Sequence, residues 1–80
     1  DPVAVEYLES MVRSRPDDAR LRLALARQQS KLGRLEDALA TLEPLAASTD
    51  ATVRREALAQ RFEILRAAAS ELLIAARSVI

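Results

Sequence analysis

Eighty residues, 50% of them hydrophobic, with 12 basic and 12 acidic side chains, amount to one small domain at most. Zero net charge argues against a sequence-independent grip on nucleic acid, which needs an excess of Lys and Arg to displace counterions. The absence of Cys and His removes disulfides, thiolate chemistry, and the commonest metal ligand and general base.

The apolar residues are mostly Leu and Ala, with one Phe, one Tyr and no Trp, and there is one Gly. Strong helix formers without hairpin residues predict an all-α chain. No apolar run approaches the roughly 20 residues a membrane-spanning helix needs, so no direct membrane insertion is expected. The sequence begins at Asp1 rather than Met and reads as a piece of something longer. All the basic residues but Lys31 are Arg, a bias that fits contact with carboxylates or the base composition of the gene.

Taken in chain order, the first predicted helix opens with Asp1 as N-cap and Pro2 at the first helical position. Val5, Leu8 and Val12, with Ala4 and Met11 beside them, recur at helical spacing. Arg15-Pro16 ends it, because the residue before Pro is pushed out of the α region. Asp17 and Asp18 supply a cap for a second helix that carries Leu21, Leu25 and Gln29 and reaches about Leu32, where Gly33 stops it. A third helix starts near Leu35-Glu36 with Ala38, Leu39, Leu42 and Leu45 on one face. Pro44 lies inside it and cannot donate to the Ala40 carbonyl, which predicts a kink or an early end. Ala47-Ser48-Thr49-Asp50 is a loop whose last residues can cap the next helix.

From Ala51 to Ile80 there is neither Gly nor Pro. Leu58, Phe62, Leu65, Ala69, Leu72, Ala76 and Val79 alternate at spacings of four and three, the seam of a heptad pattern. Local signals favour one long helix; repeat spacing favours a break near Ala67-Ala68-Ala69-Ser70, with Ser70 as N-cap. On balance two helices are expected. The seam is either a surface for self-association or the core-facing side of a terminal helix.

Comparison of the first and third helices exposes a repeat. Ala38-Leu39, Leu42-Glu43 and Leu45 follow Ala4-Val5, Leu8-Glu9 and Met11 by 34 positions each time. Pro16-Asp17-Asp18-Ala19 looks like a junction, Leu25-Ala26 like a Leu-small pair, and Gly33-Arg34-Leu35-Glu36-Asp37-Ala38-Leu39 like a Gly turn into a helix with a small packing residue. With that period the chain resembles the tetratricopeptide repeat family, in which each unit is a helix–turn–helix. The resemblance is clear over residues 1–50. It marks Ala4, Leu8, Leu25, Ala26, Gly33, Ala38 and Leu42 as the repeat-defining packing set. Arg22, Gln29 and Asp50 stand where the family favours Trp, Tyr and Pro. Leu58-Ala59 and Phe62 restore the spacing of a first helix, but no Gly turn follows.

The resemblance implies a short solenoid of stacked antiparallel helix pairs. Residues 1–16 would be the second helix of a truncated repeat, 17–49 a complete repeat, and 50–80 a divergent repeat or long terminal helix. It also implies protein binding rather than catalysis, with no cofactor or metal. Partners lie on the concave face formed by the first helix of each repeat, which here carries Arg20, Leu23, Ala24, Arg27, Ser30 and Lys31. Glu56, Gln60 and Glu63 are the corresponding residues of the divergent repeat, so the groove is of mixed charge. Family members that clamp a terminal carboxylate use Asn and Lys where this chain has Arg27 and Leu23, so that activity is not implied. An array this short leaves both ends open, which predicts self-association through Leu58, Phe62, Leu65, Leu72 and Val79, by helix exchange or end-to-end stacking. Similar arrays occur in bacterial secretion and exopolysaccharide-export proteins. That setting and either a cytoplasmic or a periplasmic location fit the sequence equally.

No constellation suited to catalysis is present. Asp17/Asp18 and Glu36/Asp37 are adjacent acids that diverge on a helix and sit near helix N-termini, where negative charge is favoured. The Ser residues lack a His or Cys companion, and Lys31 has no sequence sign of a desolvated pocket.

Overall fold

The computed structural model describes residues 2–79, apart from the side chains of Pro2 and Val79; the expected Asp1 cap lies outside them. Four helices make up the described chain: α1 (Pro2–Ser14), α2 (Ala19–Lys31), α3 (Leu35–Ala46) and α4 (Ala51–Val79). Each packs on the next, and α4 also reaches back to α2.

The helix starts follow the local chemistry of the sequence. Asp18 Oδ1 accepts from the Arg20 and Leu21 amides at 3.1 and 3.3 Å, satisfying two donors that the first turn of α2 leaves unpaired. Asp50 Oδ1 does the same at the start of α4, accepting from the Thr52 and Val53 amides at 2.9 and 3.4 Å. Gly33 has φ +78°, the left-handed conformation that reverses the chain between α2 and α3 without a Cβ penalty. Its amide donates to Ser30 O and that of Arg34 to Gln29 O, which satisfies the carbonyls at the end of α2.

Helix α2 is central and has two apolar faces. Leu25 packs with Val5 and Val12 of α1, joined at the margin by Leu8, Leu21 and Leu32. Leu23 and Ala26 enter a larger core with Ala38, Leu42 and Leu45 of α3 and Ala57 and Ile64 of α4. Ala26 and Ala38 are fully buried, and their small side chains let α2 and α3 approach closely.

Gln29 and Thr41, both buried, join α2 to α3 by a polar contact. Thr41 Oγ1 lies 2.7 Å from Gln29 Oε1 and 2.9 Å from the Asp37 carbonyl. The hydroxyl has one proton, so turning the Gln29 amide over lets both bonds form at once, the amide donating and the hydroxyl passing its proton to Asp37. Arg22 ties the α1–α2 turn to α3: Nε donates to Pro16 O at 3.2 Å and Nη1 to Thr41 O at 3.4 Å. Side chains that can bridge by hydrogen bonds thus occupy the positions where the family favours rings.

Two expectations are corrected. Helix α3 runs through Pro44 to Ala46 instead of ending early. Ala40 and Pro44 are both exposed, so water can reach the region where the helix bond is missing. Helix α4 is one continuous segment of 29 residues, with no break at Ala67–Ser70. The Ala run is a strong helix former, and no residue there offers the positive φ that Gly33 supplies at the other turn.

A third difference concerns register. Asp18 and Asp50 cap α2 and α4 and stand 32 positions apart, one short of the 33 by which Leu58 and Phe62 follow Leu25 and Gln29. The half-buried Val53 and the buried Ala57 and Ile64 follow Leu21, Leu25 and Leu32 by the same 32. The cause is α3, which ends 32 residues after α1 although its apolar face is spaced at 34. Leu58 and Phe62 therefore do not sit where the Leu-x-x-x-Tyr spacing puts them. Leu58, Phe62, Leu65 and Leu72 are 44, 63, 47 and 73% exposed, because α4 buries the Val53–Ala57–Ile64 face instead. The heptad seam lies about a quarter turn from that face, at roughly 100° per residue. It is not the core-facing side of the helix.

Candidate binding groove

One side of the stack is concave, and α2 and α4 form its walls. A cleft of about 360 Å³ lies between them, with Arg27, Ser30 and Lys31 on one wall and Ala59, Gln60, Glu63 and Ile64 on the other. The 3.6-residue period explains the first wall: Arg27, Ser30 and Lys31 share one face of α2. The second wall is the flank of α4 next to its buried face. Gln60 Nε2 donates to Leu23 O at 3.4 Å, tying the two walls together.

Of the groove residues read from sequence, Arg27, Ser30 and Lys31 meet in this cleft. Arg20 and Ala24 continue the same helical face toward the N-terminus of α2, Arg20 exposed and Ala24 half-buried, but do not line the cleft. Leu23 is buried in the core with α3 and α4 and is not on offer to a partner. On α4, Gln60 and Glu63 are in the cleft, whereas Glu56 is exposed outside it. Ala59 and Ile64 are cleft residues that sequence reasoning misses. The signal that locates them is the repeated Asp cap at 32 positions, which sets the phase of α4.

The cleft is chemically mixed. Ala59 and Ile64 make it apolar in part, Arg27 and Lys31 are cationic, and Glu63 is anionic. Glu63 Oε2 accepts from Arg66 Nη2 at 2.9 Å, with both side chains mostly in water. Such an exposed pair is worth only about 0–1 kcal/mol, so Glu63 can exchange it for a partner's cation.

The acidic pairs have local roles. Asp18 caps α2, and Glu36 and Asp37 lie in the first turn of α3. Among the described residues no group of three acidic or His/Cys side chains is placed to hold a metal ion. Among those residues, too, no helix is long and apolar enough to cross a membrane.

Helices that each pack on the next, joined by short turns and open along one concave side, define a helical-repeat protein. The family model for the tetratricopeptide repeat matches residues 3–61, and the chain belongs to that family. The match covers α1, α2, α3 and the part of α4 that packs on them, and it stops just before Phe62. No curated protein and no solved structure gives a significant match. The family is one of protein-interaction scaffolds, and a protein partner is the general expectation for this chain.

Proposed function

We propose that the chain is a segment of a protein–protein interaction scaffold that holds a partner in the cleft between α2 and α4. In this reading α1 is the second helix of one repeat, α2 and α3 are the complete repeat, and α4 opens the next. The observation that carries it is the meeting of Arg27 and Lys31 with Glu63 around one cleft, with the exposed Ala59 on its wall and the buried Ile64 at its base. That chemistry suits a helical or folded partner presenting an apolar side chain flanked by both charges, rather than a uniformly acidic peptide. The activity is binding, with no catalytic step, cofactor or nucleic acid.

A photo-crosslinking residue at Ser30 tests the cleft, with one at Thr49, in the α3–α4 loop, as control. The same protein should be captured from Ser30 and Ala59 but not from Thr49. Arg27→Glu with Lys31→Glu should then weaken its binding by about tenfold or more, the equivalent of roughly 1.4 kcal/mol. Arg20→Glu, outside the cleft, should do less. Equal capture from all three positions would sink the proposal.

A second reading, self-assembly through α4, has its own support. Its seam is exposed at Leu58, Phe62, Leu65 and Leu72, and Leu73 and Ile74 are exposed beyond the point where α3 covers the helix. Substituting Leu65 and Leu72 by Asp should dissociate any such assembly while the cleft still captures its partner.

A further inference from the structure

The apolar seam of α4 borders a second cleft, of about 480 Å³, lined by Glu36, Leu39, Ala40 and Glu43 of α3 and by Arg61 and Leu65 of α4. A helix laid there would run beside α4 and against the outer side of α3, as the second helix of a third repeat does. The chain's own residues 66–79 cannot fill this place, because α4 carries them straight past it. From Ala69 to Ser78 every residue is exposed. A vacant seat and an unused helix of matching character therefore occur in the same molecule.

Resting on the self-assembly reading, we propose that two copies pair α4 against α4 in antiparallel fashion. The distal half of each helix then occupies the seat beside Leu65 of the other and completes its third repeat in trans. The sequence of the seam chooses this orientation. Paired in parallel and in register, the chains would set Phe62, Leu65 and Leu72 against themselves and Ala69 and Ala76 against themselves, alternating thick and thin layers. The edge residues Arg61 and Arg66 would also face each other across the pair, where like charges repel. Turned antiparallel about a point near Ser70 and Glu71, Leu65 of one copy meets Ala76 of the other, and Ala69 meets Leu72. Each large side chain then faces a small one. Arg66 lies across from the apolar Leu73, and Ala68 lies across from Ala75, which allows close approach. The pairing is reciprocal about a twofold axis, so it closes at two copies.

The chain has no Cys, so engineered thiols report without interference. Sedimentation of the 80-residue chain should give twice the monomer mass of 8.8 kDa. Leu65→Asp with Leu72→Asp should return it to monomer with its helical circular dichroism kept, since neither side chain belongs to the buried core. A Leu65→Cys chain mixed with an Ala76→Cys chain should form a mixed disulfide, and Leu65→Cys alone should not. A disulfide within Leu65→Cys alone means parallel pairing, which overturns this arrangement and leaves self-assembly standing. A dimer that survives the Asp pair places the contact elsewhere and overturns both. A monomer at millimolar concentration also overturns both, and assigns the seat to another protein or to chain outside this sequence.

Discussion

Gln29 and Thr41 show how single residues hold the α2–α3 pair. Both are buried, and each is the other's partner across the turn. Removing the hydroxyl in Thr41→Val should leave the Gln29 amide buried and unsatisfied, at a cost of about 1–3 kcal/mol. Adding Gln29→Leu should recover much of that loss, because two apolar side chains then meet. A double-mutant cycle by urea unfolding checks this, and additive losses would show that the two act separately. The capping residues were legible at this scale because Asp before a helix and Gly after it work through their own backbone. The Gln29–Thr41 bond was not, since it depends on how two helices face each other.

At the scale of elements, the helices and most of their ends could be read from periodicity and caps. Pro44 is the instructive exception. A missing hydrogen bond predicts disruption, yet α3 continues past it for two residues on an exposed face. Pro44→Ala should therefore stabilise the protein by about 1 kcal/mol, because the donor gained by the Ala40 carbonyl outweighs the freedom that the unfolded chain also gains. A higher midpoint in thermal unfolding is the expected result; an unchanged or lower one means that α3 is already satisfied there. The phase of α4 escapes a sequence reading for a related reason. The sequence sets Leu58 and Phe62 33 residues after Leu25 and Gln29, whereas the caps stand 32 apart, and a single residue turns a helix by roughly 100°. The groove residues on α2 were partly legible, since one helix face is fixed by spacing alone. Those on α4 needed the correct phase, and Leu23 needed the position of its neighbours.

The whole molecule is flat and long, 48 × 30 × 13 Å, with a radius of gyration of 14.0 Å. A compact domain of this length would have about 12 Å, and the excess comes from α4 projecting beyond the other helices. Deleting residues 69–80 removes no core side chain among the described residues, so monomeric stability should change by less than about 1 kcal/mol. The full chain should instead melt at a temperature that rises with protein concentration, as association stabilises the folded form by mass action. Calorimetry at several concentrations separates the two. A truncated chain that unfolds outright would mean that the arm supports its own body.

Helix α4 lines the cleft with Ala59, Gln60 and Glu63 while presenting Leu58, Phe62 and Leu65 on another flank. Both surfaces ride on one stiff rod. A partner that tilts the rod in its seat swings the distal arm by the same angle, over a lever of roughly 15 Å from Ala69 to Val79. Any such tilt links occupancy of the groove to engagement of the arm. Whatever factor the first applies to the affinity of the second, the second returns to the first.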